Sequence, residues 1–207
     1  MHFFMQVKHG ELNMILYVTK KTRERLNIPM ISELSDINKT FASIVYEKEK
    51  DNLLLEWGIK IFYMDRRKCL QAMNFASRFT IYIFDIHNDD IQYIGDVIAK
   101  YLLELFRDDK IMVEYLKRLF DEHPVCIYSN LTNKSIISAL NYNETINVDY
   151  CDLFHDYIDN NVLKTIDINK DANWDNIVNI YINGKKEYVV PGKYFKEVLM
   201  DFYKGVD

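Results

Sequence analysis

The sequence predicts an α+β fold, a mainly antiparallel sheet with helices packed on it. Two observations predict it. Three runs rich in β-branched and aromatic residues follow one another between residues 53 and 86 with short polar separators, the pattern of a meander. Longer stretches on either side carry apolar residues at spacings of three and four, the mark of amphipathic helices. The resulting order, strand–helix–meander–helices–strand–helices, is that of an α+β domain.

Met14–Lys20 (MILYVTK) is a short apolar strand. A helix follows, with Thr19 or Thr22 as its N-cap and Pro29 as a stop. Residues 32–52 are polar and charged with scattered apolar positions, and read as a loop with one helical turn. Leu53–Asp65, Lys68–Ala76 and Arg78–Ile86 form the meander; in the middle run Cys69, Gln71 and Met73 share one side and Leu70, Ala72 and Asn74 the other. Asn88 is the expected N-cap of a helix carrying Ile91, Ile94, Ile98, Tyr101, Leu102 and Leu105. A second helix presents Ile111, Tyr115, Leu116 and Leu119 and ends at Pro124. Val125–Asn130 is another strand, and a short helix capped by Thr132 or Asn133 follows it. Residues 147–160 read as a helix burying Val148, Cys151, Phe154 and Ile158. Asp167–Gly184 reads mostly as loop, with IVNIYIN as strand or helix. Pro191 opens a final helix bearing Tyr194, Phe195, Val198, Leu199 and Phe202.

At 207 residues with 49% apolar content the chain suits one core, and 3 Pro and 6 Gly announce no linker. We expect a single domain over 14–207 with an N-terminal extension over 1–13. The abundance of Ile, Asn, Lys, Asp and Tyr suggests an AT-rich genome, hence a low-GC bacterium or its mobile elements. Three cysteines without a C-x-x-C pair fit a reducing cytoplasm. The start has no secretory pattern, and no run approaches the ~18 apolar residues of a membrane span. Charge is uneven: residues 1–80 hold 13 Lys and Arg against 9 Asp and Glu, whereas residues 81–207 hold 13 against 22. That split is compatible with a basic face beside an acidic one, and equally with intermixed solvated charge.

Candidate binding residues come from two stretches. In YMDRRKCLQAMN, Arg66, Arg67 and Lys68 lie between strands; with Lys20, Lys21, Arg23 and Arg25 nearby they would form a basic patch, and Tyr63, Phe62 and Phe75 could offer stacking surfaces. Cations beside exposed aromatics are what a single-stranded nucleic acid site requires. A hairpin tip kept soluble by charge explains the same residues, and the pI of 5.6 argues against a general nucleic-acid binder. In TNKSIISALN, Thr132, Asn133 and Ser135 precede a helix whose N–H groups could hold an anion; ordinary capping is the simpler account.

Other constellations fall short. Asp167, Asn169, Asp171 and Asp175 match calcium-loop positions, but Ala172 replaces the required Gly and Val178 the required Glu. Cys151 and His155 stand four apart, a spacing open to a nucleophile and its base, yet a core cysteine suffices. Catalytic and nucleotide-binding signatures are missing from the sequence, and no metal or cofactor is expected.

The order ILYVTKKTRERLNI, WGIKIFYMDRRKCLQAMNFASRFTIYIF, VCIYSNLTNKSIISALNYN and VPGKYFKEVLMDF resembles an uncharacterised bacterial domain-of-unknown-function family. The resemblance rests on Thr19, Lys20, Lys21, Trp57, Arg66, Arg67, Lys68, Cys69, Thr132, Asn133, Ser135, Leu140 and Asn141, over most of 14–203. Lys134 and Ile137 depart from it, and residues before Met14 have no counterpart. It implies no reaction, only a bacterial or mobile-element setting such as toxin–antitoxin or anti-defence systems.

The expectation is therefore an interaction module binding a nucleic acid or protein, with homo-oligomerisation open. The alternative is a small enzyme or sensor for a phosphorylated or nucleotide ligand.

Overall fold

The computed structural model describes residues 14–122, 126–150, 153–182 and 184–204. Five of the expected strands form one sheet: β1 (Met14–Val18), β2 (Glu56–Met64), β3 (Arg67–Asn74), β4 (Thr80–Ile83) and β5 (Cys126–Asn130), in the order β4-β3-β2-β1-β5. The meander is present, since β2 pairs antiparallel with β3 and β3 with β4. The sheet is mostly antiparallel but mixed, because β1 runs parallel to both β2 and β5.

The reason lies in a helix within residues 32–52, whose polar composition predicts a loop with one helical turn. After α1 (Lys20–Leu26), the chain forms α2 (Asp36–Glu49), a 14-residue helix within 32–52. Together they carry the chain back across the sheet, so β2 re-enters in the direction of β1, as a helical crossover requires. Parallel strands are buried on both faces, and all five residues of β1 are buried.

Helices cover both faces. On one, α3 (Ile94–Leu105), α4 (Lys110–Glu122) and α7 (Pro191–Lys204) pack over Leu16, Val18, Ile59, Ile61 and Ile81. On the other, α2 and α5 (Lys134–Glu144) lie over Ile15, Tyr17, Met73 and Ile127. Gly58 makes the second contact possible, because a Cβ there would stand 2.5 Å from Ile136 Cγ2. Ile111, expected on the apolar face of α4, is exposed, and Met112 takes the buried position beside Leu116 and Leu119.

Two further expectations change. Residues 145–157 are not one α-helix: a π-helical turn covers Thr145–Tyr150 and a 3-10 turn Leu153–Tyr157. Phe154 is buried as expected, whereas Ile158 is exposed in a two-residue strand, β6 (Ile158–Asp159), paired with β7 (Val162–Leu163). Asp167–Trp174, read as loop, belongs to α6 (Thr165–Trp174). Its buried face carries Asn169 and Asn173, whose amides bond the outer edge of β4. Asn169 Oδ1 accepts from Tyr82 N at 2.6 Å and its Nδ2 donates to Tyr82 O at 3.0 Å. Asn173 does the same at Thr80, at 2.8 and 2.7 Å. One helix face thus closes a sheet edge that would otherwise expose its ladder groups. Beyond α6, β8 (Val178–Ile182) and β9 (Lys185–Val189) form a hairpin paired only with itself among the described residues. Residues 1–13, Pro124, Val125 and Cys151 lie outside the described residues.

Candidate functional site

The β2–β3 hairpin turns on two residues, Asp65 and Arg66, both in the left-handed region at φ 49° and 65°. This is the two-residue turn that matches strand twist, and it usually takes Asn or Gly. Arg66 is exposed there with no carboxylate partner among the described residues. Its neighbours are partnered: Arg67 donates to Asp85 at 2.8 Å and Lys68 to Asn88 Oδ1 at 2.9 Å. Asp65 meets His155 Nε2 at 3.0 Å, which accounts for the histidine once paired in sequence with Cys151.

Lys20 and Lys21 lie at the same end of the sheet. Thr19 caps α1, accepting from Thr22 N at 3.2 Å, and Thr22 Oγ1 accepts from Ile61 N at 2.8 Å, which seats α1 beside β2 just past the end of β1. From Ile61 to Arg66 is five residues, about 17 Å of strand, so the hairpin tip runs on well past the point where Thr22 seats α1. That gap exceeds the ~8–10 Å screening length in physiological salt. Lys20 itself is 3.9 Å from Glu24, both side chains well exposed.

Beside α1, at the carboxyl end of β5, opens a cleft of about 640 Å³ lined by Lys20, Arg23, Glu24, Asn27, Glu33 and Asn130. Arg23 is tied to Glu33. The Met30 backbone N–H, with Arg23 adding, holds the Glu33 carboxyl below its ordinary value. The cleft's strongest cation therefore already has its anion.

The TNKS stretch stands elsewhere. Asn133 caps α5, accepting from Ser135 N at 3.1 Å and Ile136 N at 3.2 Å. Ser135 Oγ accepts from Arg78 at 2.7 Å. Arg78 belongs to the β3–β4 turn, at the far end of β3 from Arg67, about 23 Å of strand away. Thr132, Asn133 and Ser135 thus lie apart from Arg66, Arg67 and Lys68. Burial pushes the Arg78 guanidinium down from its ordinary value; one of its terminal nitrogens is buried without a partner.

Of the expected stacking rings, Tyr63 is exposed and sits opposite Lys68 in the ladder. Phe62 is not available, because it points to the other face and packs against Tyr82, Phe84 and Phe154. Phe75 stacks on Tyr17 at 5.1 Å. The strongest exposed aromatics are ones the sequence reading passed over: Tyr181 and Tyr188, 71% and 69% exposed on the β8–β9 hairpin. An Asn-Gly pair between two alternating runs, Asn183-Gly184, was the available signal. Exposed Ile37, Phe41 and Ile44 likewise line up at i, i+4 and i+7 on α2.

Among the described residues no group of three or more His, Cys, Asp or Glu is placed to hold a metal ion, and no helix is long and apolar enough to cross a membrane. Asp167, Asn169 and Asp171, which match calcium-loop positions only in spacing, are helical, and Asn169 is bonded to β4.

Fold and surface together define a mixed-sheet α+β domain with helices on both faces and exposed cations at the carboxyl end of its parallel strands. The chain belongs to the DUF6933 family, a domain of unknown function, whose family model matches residues 15–194. No curated protein matches it.

Proposed function

We propose that this protein is a non-enzymatic interaction module for a macromolecular partner, engaged at the sheet end that carries Arg66, Lys20 and Lys21. The observation that carries the reading is Arg66: a long cation at a two-residue turn whose backbone favours Gly or Asn, facing solvent without a carboxylate. Lys68, opposite exposed Tyr63 in the β2–β3 ladder, extends the cationic surface back from the tip. Because tip and α1 stand about 17 Å apart along the strand, an extended partner can touch both, whereas a small anion can touch only one. A mobile-element setting fits the composition and remains part of the proposal.

The turn supplies its own test. Arg66→Gly removes the charge while relieving the left-handed backbone, worth about 1 kcal/mol. Binding of the partner should weaken while stability holds or rises; gel shifts against RNA, single-stranded and duplex DNA, beside pull-downs on immobilised protein, read the first, and urea unfolding the second. Partner binding unchanged in Arg66→Gly overturns the reading.

A second reading, a phosphorylated or nucleotide ligand, is favoured by one observation: the cleft lies outside the carboxyl ends of parallel strands, where open sheets with crossover helices bind ligands. A rise in melting temperature with nucleoside phosphates, lost in Lys20→Ala, would support it.

A further inference from the structure

We infer that the β8–β9 hairpin is a stacking platform for single-stranded nucleic acid. This deepens the reading above by naming the partner class, and it places the contact on a second surface. The ladder puts Asn179 opposite Tyr188 and Tyr181 opposite Lys186, so these four side chains share one face. The other face is the anchored one, with Ile180 buried and Val178 and Val189 half-buried. The outward face therefore shows two tyrosine rings, Lys186 and Asn179 to solvent.

Chemistry selects the occupant. Exposed tyrosines also anchor protein interfaces, so the choice rests on charge: Lys185 and Lys186 are exposed beside the rings, and cations next to flat rings match a polyanion with planar bases. Tyr181 and Tyr188 are diagonal neighbours, roughly 7–8 Å apart, about twice the ~3.4 Å rise between bases. That spacing suits an unstacked strand, one base to each ring, or a base lodged between them. The Lys186 ammonium lies over the Tyr188 ring, 5.3 Å from its centroid, so a base stacking on that face displaces the ammonium toward the adjoining phosphate. Lys185 and Lys186 make no ion pair with a described carboxylate, and the one acid of β9, Glu187, falls on the opposite face by register. Aromatic faces with adjacent cations are the sequence-tolerant way to hold a single strand. A duplex, with its bases stacked inside, offers the rings nothing.

Fluorescence anisotropy of labelled oligodeoxythymidine and oligouridine with the full chain tests this. Tyr181→Ala and Tyr188→Ala should each raise Kd about 5- to 150-fold, the span of one lost base stack. Tyr188→Trp should restore binding, because the π-face and not the hydroxyl is used. Both rings are exposed, so circular dichroism of the alanine variants should match the wild type. The inference is overturned by no binding at low salt, by binding that both alanine variants retain, or by a duplex that binds as well as the single strand. Arg66→Gly separates the two proposals. Loss in the tyrosine variants alone keeps the platform and removes the hairpin tip; loss in Arg66→Gly alone does the reverse.

Discussion

Replacing Asn169 or Asn173 by alanine should damage the fold more than any surface substitution, and the structure says by how much. Each asparagine is fully buried. Each satisfies one N–H and one C=O on the outer edge of β4, at Tyr82 and at Thr80 respectively. Alanine removes the amide and leaves both groups facing a helix that excludes water. An unsatisfied buried group costs about 1–3 kcal/mol, so two cost roughly 2–4 kcal/mol once partial relaxation is allowed. For a domain of this size that lowers the melting temperature by about 4–16 °C. The double variant should fall short of the sum, because Asn173 Nδ2 also donates to Asn169 O at 2.7 Å and the sites are coupled. Urea unfolding followed by tryptophan fluorescence is the assay, since Trp174 ends the same helix. Alanine variants within about 0.5 kcal/mol of wild type, the range of ordinary surface changes, would refute the edge-closing role. The consequence reaches the proposed platform, because β8 leaves α6 after only three residues and a loosened α6 would free the hairpin's base.

Two further outcomes follow from the packing. Gly58→Ala places a methyl 2.5 Å from Ile136 Cγ2, and overpacking of that kind should cost about 1–3 kcal/mol by calorimetry; no change would mean that α5 sits loosely on β2. Asp109 joins the start of α4 to α7: it pairs with Lys196 and accepts from Met112 N at 3.2 Å. Lys196 first, then the N–H groups of Met112 and Ile111, hold its carboxyl below the usual aspartate value. Its folded pKa lies below the unfolded ~3.9, so its contribution is complete above that pH and disappears as pH falls through the folded value. The stability gap between wild type and Asp109→Asn, measured by urea midpoints, should be widest near neutrality and close in acid; a gap independent of pH would contradict the assignment.

Several elements were legible because one physical signal dominated each. The meander showed in alternating runs with short separators, and α3, α4 and α7 in apolar spacing. What failed had competing signals. Helix α2 buries Ala42 but leaves Ile37, Phe41 and Ile44 in solvent, so its apolar residues mark the wrong face and the stretch looks irregular. Losing α2 hid the crossover, and with it the parallel half of the sheet. Helix α6 buries asparagines in place of aliphatics, and only the strand edge beside it makes that sensible. The basic residues were readable as types, not as neighbours: Ser135 meets Arg78, and Arg67 meets Asp85, through contacts 57 and 18 residues apart. Tyr188 went unnoticed because residues 185–190 carry no clear alternation: Lys185, Lys186 and Glu187 are charged in a row.

The proposed role requires that exposed cations on this domain hold a macromolecule. The measurement is affinity for the retained partner against salt concentration, for wild type and for the Lys20→Glu, Lys21→Glu, Arg66→Glu variant. A nucleic-acid partner should give a wild-type line that falls steeply with salt and a flatter, weaker line for the variant, since fewer counterions are released. Coincident lines, or no partner of any kind at low salt, would contradict it.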